Sequence, residues 1–133
     1  MFSLSLDKKK SALINNENLQ WYINNSPPVK KKPMKYLMLF YYYNNLDSLN
    51  IAIEYFKKYC LLLKNNADAW NVLLNNYYNQ GDVVNTLKYC DSAYKYKNYY
   101  TANYYRILTY YQLNQYSNVI YYYKITPQLK KSD

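Results

Sequence analysis

Large apolar residues recur along the chain with a period of 34. Segments 33–66, 67–100 and 101–133 carry them at their fourth, seventh, eighth and eleventh positions. They are Tyr36, Leu39, Phe40 and Tyr43 in the first segment, Trp70, Leu73, Leu74 and Tyr77 in the second, and Tyr104, Ile107, Leu108 and Tyr111 in the third. The spacing i, i+3, i+4, i+7 places each set on one face of an α-helix. Each segment is therefore predicted to begin with an amphipathic helix.

A second apolar stripe follows at the twentieth and twenty-fourth positions of each segment. It comprises Ala52 and Phe56, Thr86 and Cys90, and, after a one-residue deletion in the third turn, Val119 and Tyr123. The chain must reverse between the two stripes. Gly81, the only glycine, tolerates the left-handed conformation that ends a helix, and Asp82 can cap the next one. We predict helices at 34–45, 48–63, 68–80, 83–97, 101–113 and 116–125, and a further helix at 11–24.

The other turns are predicted to rely on asparagine. Asn44 and Asn45 tolerate the left-handed conformation in the first turn at a higher cost than glycine. Asn65, Asn66 and Asn98 are predicted to cap the C-terminal ends of helices between segments.

The middle segment resembles the tetratricopeptide repeat, a 34-residue helix–turn–helix unit. Trp70, Leu73, Tyr77, Gly81 and Ala93 stand where that family keeps its signature residues. The resemblance extends in the same register to the flanking segments, over about three-quarters of the chain. It implies an all-α fold, an α-solenoid of three repeats at 33–66, 67–100 and 101–133, preceded by a basic N-terminal extension at 1–32.

Two features depart from the family pattern. The eighth position, usually Gly or Ala, holds Phe40, Leu74 and Leu108, so we expect wider spacing or a changed angle between the paired helices. The last repeat is followed only by KITPQLKKSD, where the family normally has a polar capping helix. We therefore expect the outer face of the last repeat, including Tyr121–Tyr123, to lie open.

The resemblance also implies a concave groove built from the first helix of each repeat. Its predicted residues are Leu37, Tyr41, Asn44, Asn71, Asn75, Tyr78, Tyr105, Arg106, Thr109 and Gln112. Of the residues that grip a carboxylate in one subclass of the family, only Arg106 has a counterpart here, so a carboxylate clamp is rejected. Arg106 is either a surface residue without a special partner or a contact for a carboxylate or phosphate. The groove either binds an extended segment or helix, or is simply solvated.

The net charge of +9 is concentrated at the two ends of the chain. Residues 1–32 carry +4, residues 33–66 carry +2, residues 67–100 carry none and residues 101–133 carry +3. The candidate phosphate contacts are Lys8, Lys9, Lys10, Lys30, Lys31, Lys32, Lys35, Lys130 and Lys131. These lysines are either solvated tails or contacts to the backbone of RNA. A third option, an anionic membrane surface, lacks an apolar face to insert.

The composition argues against catalysis. The chain has no histidine, only one glycine and eight dispersed acidic residues, so neither a nucleophile–base set nor a phosphate-binding loop can be assembled. We predict no enzyme activity, no cofactor and no metal. Cys60 and Cys90 are interpreted as small buried hydrophobic residues. The longest nearly apolar run, 36–43, is too short to span a bilayer, and the N-terminus does not look like a secretory leader.

Together these features predict a non-catalytic scaffold subunit of a large assembly. The excess of Tyr, Lys, Asn, Ile and Leu suggests an AT-biased gene, which is common in organelle genomes. We therefore favour a mitochondrial, organelle-encoded protein of the organellar ribosome, with its basic ends on rRNA. The alternatives are a protein-only accessory subunit of a respiratory or other membrane complex, a free peptide-binding adaptor, and a cytoplasmic location.

Overall fold

A computed structural model describes Trp21, Asn24, Asn25 and residues 33–130, apart from the side chains of Gln128 and Lys130. Within these residues all regular structure is helical. The helices are α1 (Pro33–Asn45), α2 (Leu49–Leu62), α3 (Ala67–Asn79), α4 (Val83–Lys95), α5 (Tyr99–Gln112), α6 (Tyr116–Lys124) and the short α7 (Pro127–Lys130). The six helices predicted after residue 33 are confirmed, with ends shifted by only one or two positions. The predicted helix at 11–24 and the extension at 1–32 fall almost entirely outside the described residues.

The described helices belong to two compact units, divided between Lys64 and Asn65. In the first unit α1 packs along α2. In the second unit α5 is the central element, because it contacts α3, α4 and α6. Helix α5 therefore covers the preceding helix pair, α3–α4, and also forms the third pair with α6.

Four turns share one backbone geometry. Asp47, Gly81, Lys97 and Asn114 adopt the left-handed conformation, with φ between 57° and 72°. The N–H of the residue after each one donates to the carbonyl oxygen at position i−5, as Asp82 N does to Tyr77 O at 3.0 Å. This hydrogen bond satisfies a carbonyl that a helix end would leave unpaired. The left-handed role predicted for Gly81 is confirmed, whereas in the first turn Asp47 takes it rather than Asn44 or Asn45.

Three of these turns also preserve the sequence period. Asp47 and Gly81 are one full period apart, and Asn114 comes one position before the next full period, as expected if the third turn has a deletion. Asp82 caps α4 as predicted, because its Oδ1 accepts from Asn85 N at 3.1 Å. Asn66 and Asn98, in contrast, start helices instead of ending them: Asn66 Oδ1 accepts from Ala69 N at 3.2 Å, and Asn98 precedes α5.

Each unit buries apolar residues of its own. In the first unit the rings of Phe40 and Phe56 meet edge to face at 4.9 Å, and both side chains are buried. In the second unit Trp70, Leu73 and Leu74 are fully buried. The bulky residues at the eighth position, Phe40 and Leu74, are thus part of the packed interior. The two cysteines are free and buried, as predicted.

Stacked tyrosines repeat within the first two helix pairs. Tyr43 stacks on Tyr55 with centroids 5.6 Å apart, and Tyr77 stacks on Tyr89 at 5.4 Å. Both stacks join the eleventh and twenty-third positions of their segments, so they recur with the period of the sequence. The first and second pairs therefore share a turn and an internal packing contact as well as a sequence pattern.

Candidate partner-binding surface

The third helix pair exposes positions that the second pair buries. Tyr77 is 5% exposed, whereas Tyr111, at the equivalent position of α5, is 62% exposed. Trp70 is fully buried and its counterpart Tyr104 is 38% exposed. On α6, Val119 and Tyr123 are half-buried, although the corresponding Thr86 and Cys90 of α4 are buried. Within the second pair, Trp70 stacks on Tyr96 and Tyr77 stacks on Tyr89, and α5 packs on that pair. Among the described residues, only the short α7 packs on the third pair after α6.

Exposed and half-buried apolar residues of α5 and α6 form a surface, which we call the open face. It consists of Tyr104, Ile107 and Tyr111 on α5 and of Tyr116, Val119, Ile120 and Tyr123 on α6. Each set follows helical spacing and so lies on one side of its helix. The rings of Tyr111 and Tyr116 touch at 5.8 Å and join the two sets. The openness predicted for Tyr121–Tyr123 holds only in part. Tyr121 is exposed and Tyr123 is half-buried, whereas the half-buried Tyr122 stacks on Tyr110 with ring centroids 5.9 Å apart.

Arg106 lies inside the second unit, where it connects three helices. Its Nη2 donates to Asp91 Oδ1 on α4 at 2.6 Å, and its Nη1 donates to Asn103 Oδ1 on α5 at 2.9 Å. The guanidinium lies over the rings of Tyr94 and Tyr122, 5.0 and 5.1 Å from their centroids. The side chain of Arg106 is only 11% exposed. The Arg106 guanidinium therefore forms its ion pair and hydrogen bonds within the second unit. Neither interpretation of Arg106 from the sequence anticipated a partner inside the protein.

A polar chain extends this cluster to the end of α6. Asn103 Nδ2 donates to Thr126 Oγ1 at 2.9 Å, and Thr126 Oγ1 donates to the carbonyl oxygen of Tyr122 at 2.6 Å. Asn103 and Thr126 are both buried. The segment after α6 is thus fixed to α5 by hydrogen bonds to buried side chains.

Burial perturbs two ionisable groups next to this cluster. It raises the pKa of the Cys90 thiol to about 12, against a smaller lowering by Arg106. It also raises the pKa of Tyr105 to about 12, with smaller contributions from Tyr104, Cys90 and Tyr78. Both groups are therefore neutral at physiological pH, and a protonated buried thiol is a poor nucleophile or metal ligand.

A cleft of about 320 Å³ lies between α3 and α5 of the second unit. It is lined by Asn71, Tyr100, Thr101, Tyr104 and Tyr105. None of these five side chains hydrogen bonds to another group in the described part of the chain. The sequence predicted Asn71 and Tyr105 for the groove, placed Tyr104 in the apolar stripe of its helix, and missed Tyr100 and Thr101. Their helical spacing relative to Tyr104 and Tyr105 was the signal that could have found them.

The structure places the remaining predicted groove residues as follows. Leu37, Tyr41 and Asn44 belong to the first unit, where Leu37 is buried, Tyr41 half-buried and Asn44 exposed. In the second unit Asn75 and Gln112 are exposed, Tyr78 meets the ring of Tyr105 at 6.1 Å, and Thr109 is buried. Tyr105, Arg106 and Thr109 thus offer little surface to a ligand.

The predicted phosphate contacts lie mostly outside the described residues. This applies to Lys8, Lys9, Lys10, Lys30, Lys31, Lys32 and Lys131, and to the side chain of Lys130. Lys35 is half-buried at the start of α1. The contact of the basic ends with RNA stays a prediction.

Comparison with known proteins adds no family assignment. No protein-family model matches the chain, and no curated protein matches it at a significant level. None of the helices in the described part of the chain is both long enough and apolar enough to cross a membrane. The described residues also contain no group of three His, Cys, Asp or Glu side chains that could hold a metal ion.

Proposed function

We propose that this protein is a non-catalytic scaffold of the tetratricopeptide-repeat type, which binds other subunits of a large assembly. The observation that carries this proposal is the difference between Tyr77, which is buried, and its equivalent Tyr111, which is exposed. Helix-pair arrays bury their apolar faces against neighbouring pairs and need a cover at each end. The open face is therefore best explained as a surface that a neighbouring subunit covers.

Three internal features support the repeat assignment. The left-handed turn residues follow the sequence period, the tyrosine stacks recur at equivalent positions of two segments, and α5 covers the second helix pair. In a repeat array each pair packs on the next one, and the packing of α5 on the α3–α4 pair is one contact of this kind. The three-repeat solenoid remains part of the proposal.

The assembly we favour is the mitochondrial ribosome. The reason is the charge distribution of the sequence: residues 1–32 and 101–133 together carry +7 of the net +9. Lysines at the ends of a helical body can neutralise phosphates without reading sequence, so such binding should weaken as salt increases. In this proposal the open face contacts protein and the basic ends contact rRNA.

Sedimentation of native mitochondrial extract tests this function. The protein should co-sediment with ribosomal particles and be released at high salt. A variant with Lys30, Lys31 and Lys32 replaced by Gln should occupy fewer particles, whereas replacement of Lys58, Lys64 and Lys88 by Gln, the same loss of charge in the helical body, should have little effect. Co-sedimentation with a protein complex that lacks RNA would instead favour the accessory subunit of a membrane complex. A well-folded free protein, absent from all large particles, would exclude both.

A further inference from the structure

Helix α5 shows what kind of helix covers a pair in this protein. Its buried stripe against the second pair contains Ala102, Tyr105 and Thr109, with Arg106 at its edge. Tyr105 meets the ring of Tyr78, and Arg106 forms its ion pair with Asp91. The covering helix therefore combines small residues, one aromatic ring and one charged residue. The charged residue pairs with Asp91, the twenty-fifth residue of segment 67–100.

The third pair has the opposite charge at that position. Val119 and Tyr123 occupy its twentieth and twenty-fourth positions, so Lys124 is the counterpart of Asp91. Lys124 is exposed and forms no ion pair in the part of the chain that the structure describes. The sequence contains no acidic residue between Asp91 and Asp133. A helix on the open face would therefore place its edge residue beside the Lys124 ammonium group, which has no ion-pair partner among the described residues.

We propose that the open face binds an amphipathic α-helix of a partner protein that carries Asp or Glu where α5 carries Arg106. The expected pattern on this helix is small, aromatic, acidic and small, at the spacing of Ala102, Tyr105, Arg106 and Thr109. The proposal rests on the scaffold function above and names its partner by chemistry. A second copy of the chain does not match this pattern, because nowhere in its sequence does Asp or Glu directly follow an aromatic residue.

Two peptide probes test this proposal against the full-length protein. Both have the sequence of residues 98–113 with a fluorescent label, one unchanged and one with the substitution Arg106→Glu. Fluorescence anisotropy measures the affinity of each at low and at high salt. We expect the R106E peptide to bind about five- to tenfold more tightly at low salt, because the charge pair lies at a partly exposed edge, and we expect this ratio to shrink at high salt.

Charge reversal on the protein separates the specific pair from the general attraction of a basic protein for an acidic peptide. The variant Lys124→Glu should reverse the preference and bind the unchanged peptide more tightly. The control Lys88→Glu makes the same change in net charge on the exposed side of α4, and it should keep the preference for the R106E peptide. Lys124→Gln should leave little preference. Circular dichroism of each variant verifies that the helices are intact.

Several results would overturn the inference. The first is equal affinity of the protein for both peptides, and the second is no binding of either peptide at millimolar concentration. The third is a preference for the R106E peptide that Lys124→Glu leaves unchanged, and the fourth is a loss of this preference in Lys88→Glu as large as in Lys124→Glu. Self-association that Tyr111→Ala abolishes would identify a second copy as the occupant and also overturn it. If the R106E peptide shows no preference while the protein still co-sediments with a large particle, the acidic partner helix is refuted and the scaffold function stands. If the preference is found but the protein does not co-sediment with any large particle, only the proposed assembly is refuted.

Discussion

Replacing Arg106 by Met should destabilise the second unit much more than replacing its ion-pair partner Asp91 by Asn. The two residues form one salt bridge of 2.6 Å but lie in different surroundings: the side chain of Arg106 is 11% exposed and that of Asp91 is 76% exposed. Met keeps most of the apolar stem of Arg, so the substitution removes mainly the charge and its hydrogen bonds.

The cost of Arg106→Met can be divided among its contacts. The oxygen of the buried Asn103 side chain loses its donor, which costs about 1–3 kcal/mol. Loss of the two ring contacts, with Tyr94 and Tyr122, costs about 1 kcal/mol more. The ion pair itself contributes less than about 1 kcal/mol, because the solvent screens Asp91. We therefore expect a loss of about 2–5 kcal/mol for Arg106→Met and of less than about 1 kcal/mol for Asp91→Asn.

Urea denaturation followed by circular dichroism measures both losses, and the double variant completes a thermodynamic cycle. The coupling energy between Arg106 and Asp91 should stay below about 1 kcal/mol. Equal destabilisation by the two single substitutions would refute the reasoning, because it would mean that the exposed ion pair, and not the buried contacts, gives Arg106 its role.

Five further substitutions test the core, the turn and the buried polar groups by the same denaturation measurement. Trp70→Ala should cost about 3–5 kcal/mol because it empties a fully buried site, and Tyr104→Ala, at the equivalent but partly exposed position, should cost less than half as much; similar losses would mean that the register is wrong. Gly81→Ala should cost about 1–2 kcal/mol through its φ of 72° alone, since an added Cβ would meet no atom within 4 Å, and a neutral result would contradict this. Thr109→Val should be neutral or stabilising, because the buried Thr109 hydroxyl has no hydrogen-bond partner in the described structure. Thr126→Val should cost about 1–3 kcal/mol, because it breaks two hydrogen bonds. A larger loss for Thr109→Val than for Thr126→Val would be incompatible with these hydrogen bonds.

The helical layout was predictable because it depends on local periodicity. Apolar residues at i, i+3, i+4 and i+7 define a buried stripe whatever the neighbouring elements are, and Gly81 and Asp82 mark a turn by their own conformational preferences. The left-handed roles of Asp47, Lys97 and Asn114 were missed. Lys has no preference for this conformation, and Asp and Asn adopt it only occasionally and in single positions. Their geometry is imposed by the packing of the helices that they join.

The role of Arg106 could not be read from the sequence for a different reason. Its partners Asp91 and Tyr122 lie on other helices, far from it along the chain, and only the packing of α4, α5 and α6 brings them together. The position of Arg106 on the predicted concave side suggested a contact with a ligand, but the same helix edge also faces α4. The sequence predicted only part of the cleft between α3 and α5. Asn71 on α3 follows from the repeat register. Tyr100 precedes the predicted start of α5, and Thr101 coincides with it.

The Arg106 cluster explains how the last helix pair can hold its shape with one face uncovered. A pair that lacks a neighbour loses apolar burial, which is the main source of its stability. Here Arg106 holds α5 to α4 and contacts Tyr122 on α6, and Thr126 fixes the segment after α6 to Asn103. These contacts lie outside the open face, so they keep its two helices in position without occupying it. A surface held in its binding geometry loses less conformational entropy when a partner helix binds, and Arg106→Met should therefore weaken the binding of the R106E peptide even though Arg106 does not belong to the open face.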